Sequence, residues 1–458
     1  MRSEGQAGEL WTRRLVGPVI AAAALRLALL ALVLARSGAS ALERPDTHTY
    51  LEPGRNLLLH GSFTAAGLPE ILRTPGYPLF LAMTSLAGPI AVALAQVVLS
   101  VLSVVLVWRL ALQISPDTRI ALLAAWLFAL EPLSVTYSIL LLPETLFLAL
   151  FLLSLERLAA FLRSRQLNVL AAAGLWLAAA TFVRPVTFYL PLALAAGLLV
   201  AFARSPGLRW KAPAVLLLTV MPCLAAWQIR NRIETGFSGF SAVQALNLYF
   251  YSSAEVVARL EHHSLEQVQD ELGYNSELLF LMRHPDAAAW TQLQRIGFMQ
   301  AEALRVIRNH PALFLRLHLA GSLRTAFNPG AAVLLSLFNL ASADESFARE
   351  HNQGPLRAAQ WTVLHAPLQA AYMAALSILL LGLYFFAARG VLRGSASAPA
   401  LALLLGVSLY FLAVSGGAAG IARLRLPMMP ALCVLAAAGF VRRSAFPRHR
   451  ASSLPLPR

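Results

Sequence analysis

Charge is scarce in this 458-residue chain: Asp, Glu, Lys and Arg together make up 13% of it, about half of what a soluble globular domain carries. Cysteine is nearly missing. Cys223 and Cys433 are the only two, and both fall inside apolar runs, where a thiol is buried and inert. A disulfide scaffold and a cysteine-based metal site are therefore excluded. Lysine occurs once, as Lys211. No Walker loop, no GxGxxG following a strand and no Ser-His-Asp signature is found, so nucleotide-driven chemistry has no foothold. His262, His263, His284, His310 and His318 stand at no tight metal spacing, and adjacent His262 and His263 would point apart on a helix.

What the chain does have is apolar length. Hydrophobic residues form 58% of it and the mean hydropathy is +0.65, too apolar for a single soluble domain or a disordered chain. Runs of spanning or near-spanning length lie near 15–35, 89–108, 120–140, 143–162, 169–183, 186–203, 213–229, 366–388, 399–415 and 426–441. That pattern predicts an all-α polytopic membrane protein of about ten crossings, or as many as twelve if 311–341 adds a pair. The first run follows a basic flank, shows no small-residue cleavage site, and is read as a retained span.

An even number of crossings puts both termini on one side. If that side is the cytoplasm, the cytoplasmic pieces are 1–14, 109–119, 163–168, 204–212, 389–398 and 442–458. They hold 17 of the 37 Lys and Arg residues, Arg442 and Arg443 among them, but only three acids, Glu4, Glu9 and Asp117. Of the net charge of +15, +14 thus sits on one side, the positive-inside bias of a membrane protein. The basic balance reports topology and is no nucleic-acid footprint.

Two segments on the opposite side are too long to be turns. The first, 36–88, reads as short surface helices: Asn56–His60, a break at Gly61-Ser62-Phe63, and the apolar stretch Tyr77–Leu86. The second, 230–365, opens on the aromatic run Leu248-Tyr249-Phe250-Tyr251. Within it Ile296, Met299, Ala303, Val306 and Ile307 recur at helical spacing among basic residues, as in a helix lying on a bilayer. The stretch 311–341 is interrupted by Arg316, His318, Arg324 and Asn328-Pro329-Gly330, which predicts an interfacial or partly re-entrant segment. The expected organisation is an N-terminal transmembrane catalytic module 1–229, a periplasmic or interfacial region 230–365, C-terminal spans 366–441 and a basic cytoplasmic tail 442–458.

Polar groups at membrane depth are costly and so informative. Arg26 sits mid-span in the first run, where a structural partner explains it better than chemistry. Asp46 lies just past that run, Glu131 and Glu144 bracket the outer turn between the third and fourth, Arg184-Pro185 marks the next outer turn, and Arg423 and Arg425 precede the last span. Two carboxylates and several arginines on one surface suit chemistry on a lipid-linked phosphate. The arginines would hold phosphate through charge-assisted bonds, and a carboxylate would take a proton from an incoming hydroxyl. Taken one by one, juxtamembrane anchoring and helix capping explain the same residues.

Four segments together resemble one family: "DTHTYLEPGRNLLLHGSFT" followed by "RTPGYPLFLA", "LEPLSVTYSILLLPETLFLALFLL", "AGLWLAAATFVRPVTFYLPLALA" and "ARLRLPMMPAL". In order and spacing the chain resembles the integral-membrane GT-C glycosyltransferases of the protein O-mannosyltransferase and lipid A aminoarabinose-transferase type (glycosyltransferase family 39). The resemblance implies an inverting transfer of a sugar from a polyprenyl-phosphate donor to a hydroxyl acceptor (lipid, glycan or protein) at the periplasmic face of a bacterial inner membrane. It places the general base at Asp46 and a second acid at Glu144. It places donor-phosphate ligands at Arg73 and Arg184, helped by Arg423 or Arg425, with Tyr50 and His48 completing the substrate-binding set. Two departures stand out: Asp46-Thr47 replaces the two adjacent acids of many relatives, and Pro53 is expected to interrupt the helix after Tyr50. Two carboxylates could hold Mg²⁺ or Mn²⁺, and arginines could neutralise the phosphate without metal; the residues leave both open. The rival readings are a lipid-linked sugar flippase or transporter, which should carry polar residues at the bilayer midplane, an O-antigen ligase-like transferase, and a membrane scaffold.

Overall fold

The computed structural model describes residues 2–340, 354–394 and 396–441; the basic tail expected at 442–458, with Arg442 and Arg443, lies outside them. The described residues are almost wholly helical. Their strands are one antiparallel pair, Thr64–Ala65 with Leu68–Pro69. Among the described residues, six helices are long and apolar enough to cross a membrane: Arg14–Ser37, Pro89–Ile114, Glu144–Ser164, Pro206–Thr235, Pro367–Leu392 and Ala422–Phe440. The other four expected crossings fall on shorter apolar helices, Thr118–Ala129, Leu167–Val183, Pro185–Ala201 and Ala398–Val414. The chain is an all-α, multi-pass membrane protein.

The run 120–140 is not one helix. It stops at Ala129, and Glu131 accepts hydrogen bonds from the backbone N–H groups of Leu133 and Ser134, which starts the helix Pro132–Tyr137. Pro132 cannot donate to the preceding turn, so the sequence ends one helix and caps the next within three residues. Buried Arg26 mends the break. Its Nη1 donates to the Ala129 carbonyl at 2.9 Å, its Nε to Ser100 Oγ at 2.7 Å and its Nη2 to Ser134 Oγ at 3.2 Å. An intramembrane arginine is tolerable once every donor has such a partner.

The first loop differs from its expected form. A single helix runs Pro45–His60, straight through Pro53, before the second helix Gly76–Thr84. The proline forgoes one backbone bond at the point where the two helices cross: a Cβ on neighbouring Gly54 would lie 2.2 Å from the Pro78 carbonyl oxygen. Close approach also explains Gly76, whose added Cβ would sit 2.8 Å from the backbone of Phe182. The loop is thereby pressed against the end of Leu167–Val183, beside Arg184.

The helix Gln292–Asn309 buries Ile296, Met299 and Ala303 as its spacing predicted, but against protein. Met299 and Ala303 join Tyr249, Phe250, Phe280 and Ala287 in a small apolar core. The aromatic run that supplies part of this core is a π-helical turn, Leu248–Ser253. Segment 311–341 resolves into the helices Pro311–Phe327 and Ala331–Leu337, neither of them among those long enough to span. Gly321 lets the first of these cross the turn that leads to Ala422–Met428, since a Cβ there would meet Gly417 O at 2.1 Å. That crossing fixes where Arg423 and Arg425 emerge.

Candidate active site

Four of the five charged groups of the site, Asp46, Glu144, Arg184 and Arg423, are delivered at or beside the end of a helix. Pro45 opens Pro45–His60, which sets Asp46 in its first turn, where an acid is favoured by the helix dipole. Thr47, at the position where many members of the resembled family carry a second acid, ties this start down. Its hydroxyl accepts from Arg44 N at 2.9 Å and donates to Leu141 O at 2.8 Å. Leu141 lies in the turn just before Glu144, the first residue of Glu144–Ser164, so one hydroxyl couples the two acids. Arg184 follows the last residue of Leu167–Val183, and Arg423 lies in the 3₁₀ segment Ala422–Met428.

The four segments converge at one end of the bundle. Asp46 Oδ1 lies 3.2 Å from Arg73 Nη2, and Oδ2 lies 3.0 Å from Arg423 Nη1. Arg423 bridges the two acids, because its Nε donates to Glu144 Oε1. The same oxygen lies 3.0 Å from Arg184 Nη1. Three guanidiniums thus face two carboxylates, and with all five groups ionised the cluster carries one net positive charge.

Arg73 is further held by Thr49 Oγ1 and by the Tyr50 hydroxyl, each at 3.0 Å, with its guanidinium 4.4 Å above the Tyr50 ring. Tyr50 stacks edge-on against Tyr77, whose hydroxyl donates to Gln96 Oε1 at 2.9 Å. This buried ladder runs from the arginine into the helix Pro89–Ile114. Burial by itself would raise the pKa of Asp46, but the charges of Arg423 and then Arg73, with their hydrogen bonds, outweigh it and hold the carboxyl below its ordinary value. Glu144 is almost fully enclosed, and its second oxygen, Oε2, has no hydrogen-bond partner.

Asp46, Glu144, Arg73, Arg184, Arg423 and Tyr50 therefore come together. Two other expected site residues do not. His48 is largely exposed and faces Glu43 at 3.6 Å. Arg425 is buried and turned the other way, with its Nη1 donating to the carbonyls of Thr325, Ala326 and Asn328 at 2.7–3.0 Å. It caps the end of Pro311–Phe327. In a 3₁₀ segment, with about three residues per turn, a side chain two positions on from Arg423 points elsewhere. Thr49, Tyr77 and Glu70, which touch this constellation, and Gln96, which lies behind Tyr77, carry no signal in the sequence beyond their polarity near the membrane edge.

The arrangement does not suit a divalent ion. No group of three or more His, Cys, Asp or Glu side chains among the described residues could hold one. The two carboxylates here already meet guanidiniums through three of their four oxygens. A cation would have to displace an arginine and then sit beside three positive charges.

Residues 74–250 match the family model described as dolichyl-phosphate-mannose-protein mannosyltransferase. That range contains Glu144 and Arg184. No curated protein matches the chain in sequence. Among solved structures, the Archaeoglobus fulgidus oligosaccharyltransferase tethered to an acceptor peptide containing the NVT sequon is similar at 13% identity and a TM-score of 0.46, over 91% of this chain and 49% of that one. The archaeal oligosaccharyltransferase AglB from the same organism, in complex with an inhibitory peptide and a dolichol-phosphate, gives 13% identity and 0.46 over 90% and 50%. The chain spans about half the length of these proteins, and a likeness of that degree assigns it no activity.

Proposed function

We propose that this chain is an inverting glycosyltransferase that moves a hexose or pentose from a polyprenyl-phosphate donor to a hydroxyl acceptor, with its site at the periplasmic face of an inner membrane. The observation that carries the reading is the convergence of Asp46 and Glu144 with Arg73, Arg184 and Arg423, drawn from four distant segments. The family match over 74–250 supports it.

The charges suit such a donor. A polyprenyl-phosphate sugar is a phosphodiester with one negative charge, which would balance the surplus guanidinium. As the bond from the anomeric carbon to the phosphate oxygen breaks, its electron pair moves onto the phosphate, and the arginines stabilise the growing charge. The acceptor oxygen attacks the anomeric carbon from the opposite side and its proton passes to Asp46, so configuration inverts. Glu144, enclosed and paired, sets Arg184 and Arg423 in place.

Without donor, Arg73 and Arg423 grip Asp46. A phosphate that draws those guanidiniums to itself releases the carboxylate and raises its basicity. Donor binding thereby prepares the base, and the acceptor follows second. The transporter reading is weakened by Arg26, the chief mid-span charge, which is fully occupied by Ser100, Ser134 and the Ala129 carbonyl and offers no carrier site.

The test is release of polyprenyl phosphate by purified protein given polyprenyl-phosphate hexose or pentose and a panel of lipid, glycan and peptide acceptors. Release with wild type and its loss in Asp46→Asn supports the reading. Equal release by both proteins, or none from folded wild type with any donor, refutes it.

A further inference from the structure

Arg73 does not sit on a helix. It ends a short irregular stretch, Glu70-Ile71-Leu72-Arg73, between the strand Leu68–Pro69 and the helix Gly76–Thr84, so something other than helical geometry must aim it. The aiming is done from within the stretch and from outside it. Buried Glu70 turns its carboxylate back onto its own chain, and Oε1 accepts from the backbone N–H of Leu72 and, at 2.8 Å, from that of Arg73. The three preceding carbonyls are each taken by the chain 230–242. Arg230 Nη1 donates to Glu70 O at 2.8 Å, Ala242 N to Ile71 O at 2.8 Å and Ser241 Oγ to Leu72 O at 2.6 Å. Arg230 also reaches Phe63 O at 2.9 Å, and its guanidinium lies 5.6 Å from the Phe63 ring and 5.1 Å from that of Trp227.

We infer that Glu70 is the positioning residue for Arg73: its carboxylate holds the turn that directs the guanidinium at Asp46, and Arg230, Ser241 and Ala242 lock that turn to the chain entering the 243–337 helices. The inference rests on the reading of Arg73 as a donor-phosphate ligand. It makes donor affinity depend on a part of the molecule that never touches the donor. Burial works against the Glu70 charge, and the N–H groups of Arg73 and Leu72 and the charges of Arg73 and Arg230 offset it only in part. A buried carboxylate kept at that cost points to the geometry it enforces.

Two variants separate reach from charge. Glu70→Gln keeps an oxygen at the same reach, able to accept both N–H groups, and loses the charge. Glu70→Asp keeps the charge and loses one methylene of reach. The measurements are the KM for polyprenyl-phosphate sugar, kcat, and binding of polyprenyl phosphate alone, each beside a melting curve. The expected donor KM of Glu70→Gln is within about threefold of wild type, and that of Glu70→Asp is raised about tenfold or more with a smaller change in kcat, by analogy with a misplaced contact. Arg230→Ala should raise the donor KM in the same direction. Wild-type KM in Glu70→Asp, or Glu70→Gln as impaired as Glu70→Asp, overturns the inference. If Arg73→Ala abolishes polyprenyl-phosphate binding while Glu70→Asp leaves it intact, the donor site stands and the positioning role falls. If Arg73→Ala binds as wild type does, the donor reading itself falls, and this one with it.

Discussion

Replacing Asp46 by Asn should slow the enzyme and at the same time tighten its hold on the donor. The first effect follows from the lost proton acceptor: general-base catalysis contributes about 10²–10⁴-fold, so kcat should fall by that order. The second follows from the two arginines. In the resting site Asp46 competes with phosphate for Arg73 and Arg423, at 3.2 and 3.0 Å. The Asp46 side chain is 41% exposed, so each ion pair is counted at the screened value of about 0.2–1 kcal/mol. An amide cannot sustain that competition, since it carries no charge and one of its two polar atoms is a donor. Removing both pairs frees up to about 2 kcal/mol, or an affinity gain of about 2- to 30-fold at tenfold per 1.4 kcal/mol. The assay is titration of the purified variant with polyprenyl phosphate, read by quenching of intrinsic tryptophan fluorescence, with turnover measured on the same samples. Weaker donor binding in Asp46→Asn, or unchanged kcat, would refute the competition between carboxylate and phosphate.

Other outcomes follow from the same geometry. Arg425→Ala should lower stability by about 1–3 kcal/mol, because the buried Thr325 carbonyl is left without the Arg425 donor while Ala326 O keeps the Tyr384 hydroxyl, yet leave donor KM near wild type in protein that stays folded; a selective rise in donor KM would return Arg425 to the site. The acid limb of kcat should lie at higher pH than that of kcat/KM for the donor, since the free enzyme holds Asp46 below its ordinary pKa and bound phosphate removes that restraint; coincident limbs would contradict it. Burial raises the folded-state pKa of Glu70, so its ionisation destabilises the fold as pH rises from the ordinary glutamate value through that raised one. Glu70→Gln should therefore melt higher than wild type at neutral pH and lose the advantage as pH falls through that window, and an advantage independent of pH would be against it. Chelation with EDTA should leave donor binding unchanged, because guanidiniums occupy three of the four carboxylate oxygens and a metal would have to displace them; a loss of donor binding on chelation would contradict it.

Much of this is legible in the sequence alone, for a physical reason. Charge at a membrane edge is expensive to keep, so Asp46, Glu144, Arg184 and Arg423 stand out against long apolar neighbours, and the turns that carry them meet at one end of the bundle. Arg73 was visible only through resemblance. Arg425 misled because its spacing from Arg423 says nothing about direction until the backbone is known to be 3₁₀. The break at Ala129 was masked by apolar residues on both sides, although Glu131-Pro132 carried the signal. Pro53 argued for an interrupted helix, and what decided otherwise was the crossing at Gly54, a long-range contact. Glu70 left no trace because its partners are backbone N–H groups, which every residue has.

The most direct measurement is native mass spectrometry of the detergent-purified protein with polyprenyl phosphate, wild type beside Arg73→Ala and Arg184→Ala. A three-arginine donor site predicts lipid bound to wild type and lost from both variants. Equal retention in all three proteins, or no binding by folded wild type, would contradict it.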